Sequence, residues 1–136
     1  MDKVNEIEQP SSLESCFEYL DKKLVDKDLF KNSPENKVLG MCHFSLGMWM
    51  RNNWYLWWSE DLAKQFAEKG YPQEKPLLVK YFNEELGIFH ADDMSSIIIT
   101  SYHRKLNDLT LRLDLQAKKY QDFWQNSVDK KLMDEE

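Results

Sequence analysis

The residues best equipped for chemistry lie in two short segments. In the first, Val38 to Ser59, Arg51 is the only fully charged side chain, and four of the chain's five tryptophans (Trp49, Trp54, Trp57 and Trp58) fall within ten residues. The second reads Gly87-Ile88-Phe89-His90-Ala91-Asp92-Asp93-Met94-Ser95. An arginine presents a planar fork of donors that matches a carboxylate, and a carboxylate at a helix start caps backbone amides. One of Asp92 and Asp93 is therefore expected to cap, and the other to receive Arg51. His43 and His90 add titratable imidazoles. The candidate binding pocket is His43, Arg51, Asn52, Asn53, Trp54, His90, Asp92 and Asp93, walled by Trp54 and Trp58. Such a pocket suits an anionic small molecule, because buried arginine favours carboxylate or phosphate. The same residues could instead form a buried tie between two helices.

Other chemistries find less support. Ser95 and Ser96 lie near His90 and Asp92 but carry no nucleophile-elbow sequence. His43, His90 and Asp92 could supply three metal ligands, but no local ligand spacing marks them. No catalytic residue, metal or cofactor is assigned. Cys16 and Cys42 form no C-x-x-C pair, and Met1 to Gln9 is charged rather than apolar, so a cytoplasmic chain without a secretory signal is expected.

The elements that must position these residues read as helices. Ser11 with Glu14 forms a capping box, followed by Leu13, Cys16, Phe17, Leu20 and Leu24 at helical spacing, a first helix to about Phe30. Ser33-Pro34 starts a second, running toward Trp58. On a regular wheel with Gly40 at zero, His43 falls at ~300°, Gly47 at ~340°, Arg51 at ~20°, Trp54 at ~320° and Trp58 at ~0°. Two glycines on that face call for a close approach, since each costs about 1 kcal/mol in a helix interior. The opposite face holds Cys42, Trp49 and Leu56, with Met41 and Met48 at its margin, so this helix is expected at the centre. Asn52 and Asn53 join the pocket if the helix ends or bends there, and they are natural hydrogen-bond partners for the indoles.

Further helices are expected after Ser59, from about Leu77 to Leu86, and from Asp92. A last helix carries the stripe Leu106, Leu109, Leu113, Ala117, Tyr120, Trp124 and Val128, with an extended break near residues 107–110. Strand readings of Ile97–Thr100 and Leu109–Leu115 yield to the longer helical pattern. The expected fold is all-α, one compact domain of five to six helices over residues 11–132, with a flexible lead-in at 1–10 and a frayed end at 133–136. With 136 residues, 42% hydrophobic, the chain can build one core without staples. Arg51 amid Val38–Ser59 argues against a membrane span.

The strings H-F-S-L-G-M-W-M-R-N-N-W from His43 and H-A-D-D-M-S from His90 resemble an uncharacterised family of small, mostly bacterial domains. Its pattern is H-x3-G-x-W-x-R-N-x-W followed by H-x-D-D-M-S, covering roughly residues 35–107. The resemblance implies that Arg51, Asn52, Trp54, Asp92 and Asp93 belong to the defining pattern. The family often has proline where this chain has Ala91.

A net charge of −6 excludes phosphate-driven nucleic-acid binding, which needs a basic surface. The leading expectation is a protein-binding module, such as an inhibitor or immunity protein, because acidity steers association with a basic partner. The alternatives are an anionic-ligand or enzymatic domain using Arg51, His43 and Asp92, and an assembly subunit that pairs with its own copies.

Overall fold

The computed structural model describes residues 8–134, which are helical with no strand. The lead-in over 1–7 and the chain end at 135–136 lie outside the described residues. Eight α-helices follow in order: α1 (Leu13–Lys23), α2 (Lys27–Asn32), α3 (Glu35–Cys42), α4 (Met48–Asn53), α5 (Glu60–Gln65), α6 (Leu77–Glu85), α7 (Ala91–Leu106) and α8 (Leu113–Asp134). A π-helical turn, His43–Gly47, joins α3 to α4, so that run and the other six make seven helical units.

Local chemistry sets the boundaries. Ser12, not Ser11, caps α1, and Ser15, not Glu14, completes the capping box: each serine side chain receives the other's backbone N–H. With Ser12 at the cap position, the residue three further on is Ser15 rather than Glu14. The helix expected to reach Phe30 stops at Lys23, because Asp26 adopts a left-handed conformation (φ 56°) and α2 restarts there. Ser33 closes α2, its hydroxyl donating to the Leu29 carbonyl, and Pro34 takes the cap position of α3. Ser59 caps α5 by accepting from the Leu62 amide.

The most enclosed helix is α7. Ala91, Met94, Ser95, Ile97, Ile98, Ile99, Ser101, Tyr102 and His103 are all buried, so it is covered nearly all round. It touches α1, α2, α3, α4, the π-turn and α8. The β-branched run Ile97–Thr100 lies within it, since burial on several sides favours bulky side chains whatever their intrinsic propensity. Phe17, Phe30 and Tyr102 pack ring to ring against this axis. The Trp-rich segment lies beside α7, with Trp54 fully buried and perpendicular to Tyr19 and Trp49.

The last helix uses its stripe only in part. Ala117 is buried and Tyr120 half-buried, but every residue from 121 to 132 is exposed. The break before α8 extends to Arg112, with Asp108 and Arg112 both left-handed. No described helix is long and apolar enough to cross a membrane.

Candidate functional site

Arg51 sits at the join between the π-turn and the start of α7, and it is 3% exposed. Its Nη1 donates to Ser95 Oγ at 2.9 Å, and its Nη2 to the His43 carbonyl at 3.0 Å. Its Nε lies 3.3 Å from Asp92 Oδ1 but is not aligned as a hydrogen bond, so that contact is an ion pair only. Ser95 Oγ in turn donates to the Asp92 carbonyl. Arg51 therefore ties three points together: a widened helical turn, a serine and the first carboxylate of α7. The π-turn makes this possible, because such insertions open the helical ladder where a side chain approaches.

Gly47 shows the close approach that its residue type implies. A Cβ there would stand 2.9 Å from Arg51 Nη1 and 3.2 Å from the Cys42 carbonyl oxygen. Gly40 faces open space and is exposed, so the regular wheel placed it wrongly. The inserted π-turn changes the phase after His43, and the helix ends at Asn53, well before Trp58.

The other candidate residues separate. His43 contributes its carbonyl rather than its imidazole, which packs perpendicular to Phe44. Asn53 Nδ2 bonds the Trp49 carbonyl, and Asn52 is exposed, so neither serves an indole. Among the described residues Trp54 Nε1 has no hydrogen-bond partner, and Trp54 is core rather than wall. Trp58 Nε1 donates to the Pro72 carbonyl. Neither aspartate caps α7 through its side chain, and Asp92 meets Arg51 at one oxygen rather than two. Asp93 Oδ2 instead accepts from Trp124 Nε1 at 2.8 Å, while His90 stacks flat on the same indole (centroids 3.7 Å apart, planes 17° apart). Among the described residues no three potential metal ligands converge.

What the fold does build is a groove beside this tie. Tyr55 takes a left-handed conformation (φ 54°) after α4, and the chain then presents Trp57 and Trp58 to the start of α7. A cavity of about 390 Å³ lies between them and α8, walled by Trp57, Phe89, Phe123 and Trp124, with Asp92 and Asp93 at its side. It shares Phe89, His90, Asp93 and Trp124 with an adjoining cavity of about 250 Å³ that reaches Val128. Trp57 is also shared with a third cavity, of about 370 Å³, lined by Arg51, Tyr55 and Tyr71. Trp57, Phe89, Phe123 and Trp124 are 40–68% exposed.

Two local devices hold α8 in place. Gly87 ends α6 with a left-handed turn (φ 65°), and a Cβ there would stand 2.9 Å from Gln121 Nε2. That amide donates to the Leu86 carbonyl at 2.7 Å. Nearby, burial pushes the Tyr120 hydroxyl above its ordinary range; a Ser96 hydrogen bond opposes the shift and the Asp93 charge adds to it.

A family model described as "Domain of unknown function (DUF6794)" matches residues 9–77 and 72–106. The chain belongs to this family. The matched residues of the DUF6794 family take in Arg51, His43, Ser95 and Asp92, the whole of the tie, and Asp93 beside it. They end where α7 ends, so Phe123 and Trp124, which close the groove, come from a helix beyond the match. No curated protein and no solved structure matches the chain.

Sequence reasoning missed Ser95 as the partner of Arg51, and it missed Trp57, Phe89, Phe123 and Trp124 as groove walls. Phe89 and Trp57 stood within the segments singled out. Nothing local could have paired them with a helix more than thirty residues away.

Proposed function

We propose that this chain is a protein-binding module that docks its partner in the groove between the Trp57–Trp58 turn, the start of α7 and α8. The observation that carries this reading is the exposure of four large aromatic side chains around one concave, acid-bearing surface. Aromatic residues are enriched at the centres of interfaces, where they bring large contact area for little lost entropy. Exposed apolar patches of this kind mark interaction sites. An inhibitor or immunity protein acting by covering a basic surface of its partner is the specific form we favour, and the net charge of −6 supports it.

The alternative, an anionic-ligand or catalytic pocket at Arg51, has less support. The guanidinium is nearly fully buried, and Ser95, the His43 carbonyl and Asp92 already face its nitrogens.

A photo-crosslinking residue placed at Phe123 and, as control, at exposed Phe44 in the source cell tests the docking reading. We expect an adduct at 123 that is absent at 44 and is lost when Trp57→Ala is added. An adduct at both positions, or none at 123, overturns it. An adduct with the chain itself replaces the foreign partner with a second copy.

A further inference from the structure

Resting on that docking reading, we infer that the groove takes a cationic side chain, an arginine guanidinium or lysine ammonium, from a basic segment of the partner protein. The chemistry of the walls selects the charge. Among the described residues that line the groove, Asp92 and Asp93 are the only Asp, Glu, Lys or Arg, so no lysine or arginine lines either cavity. Arg51 reaches Asp92 from beneath, through one oxygen and off the hydrogen-bond axis, and the Asp92 side chain remains 58% exposed. Asp93 accepts from Trp124 Nε1 through Oδ2. Each carboxylate is thus held on one side, Asp92 by an ion pair and Asp93 by a hydrogen bond, and carries further acceptor positions, since an ionised carboxylate has about four lone-pair sites.

The aromatic walls point the same way. Ring faces carry negative potential and attract ammonium and guanidinium groups within about 6 Å, with guanidinium gaining further by flat stacking. Trp57, Phe89 and Phe123 lie around the two carboxylates, while one face of Trp124 is already covered by His90. Carboxylates set among aromatic rings neutralise a cation and replace its hydration, whereas an anionic or purely apolar segment would leave Asp92 and Asp93 facing a like charge or losing water without compensation. The cavity of about 390 Å³ falls inside the ~300–1,000 Å³ range of ligand pockets.

A blocked arginine pentapeptide tests this, together with its citrulline counterpart, which keeps the shape and loses the charge. The readout is the indole N–H resonances of the full-length protein in nitrogen-15 NMR. We expect saturable shifts of Trp57 and Trp124 with the arginine peptide at millimolar concentration, at least ~tenfold weaker binding of the citrulline peptide, and weakening as salt is raised. Asp93→Asn, which keeps an acceptor for the Trp124 indole, should lower affinity for the arginine peptide by about threefold to tenfold while the resonances remain dispersed. Because Asp92→Asn would disturb the Arg51 tie, Asp93 and Trp57→Ala carry the test. Equal binding of both peptides overturns the cation inference and leaves docking intact; so does an absence of shifts at ~10 mM peptide while the Phe123 crosslink still forms. Loss of the crosslink removes both.

Discussion

Replacing Arg51 with methionine tests whether this buried guanidinium holds the fold. Methionine matches the aliphatic stem but lacks the terminal nitrogens, so the bonds to Ser95 Oγ and the His43 carbonyl disappear. Hydrogen bonds to a charged group are each worth about 1.5–3 kcal/mol net, giving a gross loss of roughly 3–6 kcal/mol for two. Removing the charge also removes its burial cost, so the lower end applies. Asp92 is well exposed and rehydrates when abandoned, so the lost ion pair adds only about 0–1 kcal/mol. The expected destabilisation is about 3 kcal/mol, read by urea unfolding as a midpoint lowered with unchanged slope. Gly47 supplies an internal control. In the native background, Gly47→Ala drives its methyl against Arg51 Nη1 at 2.9 Å. In the Arg51→Met background that atom is gone, and alanine's helix preference of about 1 kcal/mol is partly recovered. The two substitutions should therefore couple by about 1 kcal/mol or more. A loss below about 1 kcal/mol for Arg51→Met, or additivity within about 0.5 kcal/mol, would refute the tie.

The two thiols should differ in the native protein. Burial pushes both above their ordinary range, but Cys16 is fully buried and Cys42 half-buried, so a thiol reagent at neutral pH should modify one slowly and the second only after denaturation. Two rapid reactions in the folded state would contradict this packing. At high pH, Tyr102 should govern part of the stability loss. Burial, then its hydrogen bond to Asp21 and that carboxylate's charge, raise its hydroxyl above the ordinary 10.0. An acid whose folded pKa is raised keeps its contribution below the unfolded value, and loses it as pH climbs from there toward the folded value. Unfolding free energy should thus fall above pH ~10 by up to about 1.4 kcal/mol per pH unit for this group, and Tyr102→Phe should flatten the slope. Trp124→Ala should release the outer part of α8, since it removes the Asp93 bond and the His90 stack; amide exchange over residues 121–132 should accelerate while the global midpoint moves by less than about 1 kcal/mol. Global unfolding at the same rate as that segment would show α8 to be part of the core.

How much of this was legible in the chain depends on range. The all-helical class followed from apolar spacing, which held even where β-branched Ile97–Thr100 imitated a strand. The helix start after Ser59, the helix from Leu77 to about Leu86 and the break after Leu106 were readable because capping and left-handed turns involve neighbours only. Charge scarcity directed Arg51 to the Asp92–Asp93 pair, since a lone buried charge needs a counter-ion, but left open which of the two it meets; the structure brings Asp92 to it through one oxygen. The phase of the Val38–Ser59 run was not readable, because a π-turn is decided by what the widened turn bonds to, here Arg51 and, through it, α7. Asp93's bond to Trp124 and the groove itself were equally hidden, for they need α8 to lie back across the start of α7. Sequence determined the helices and the need to pair the one charge between Val38 and Ser59. Tertiary structure decided that Arg51 is enclosed as a tie and that the open, acid-bearing surface lies beside it, because those outcomes depend on how distant helices pack.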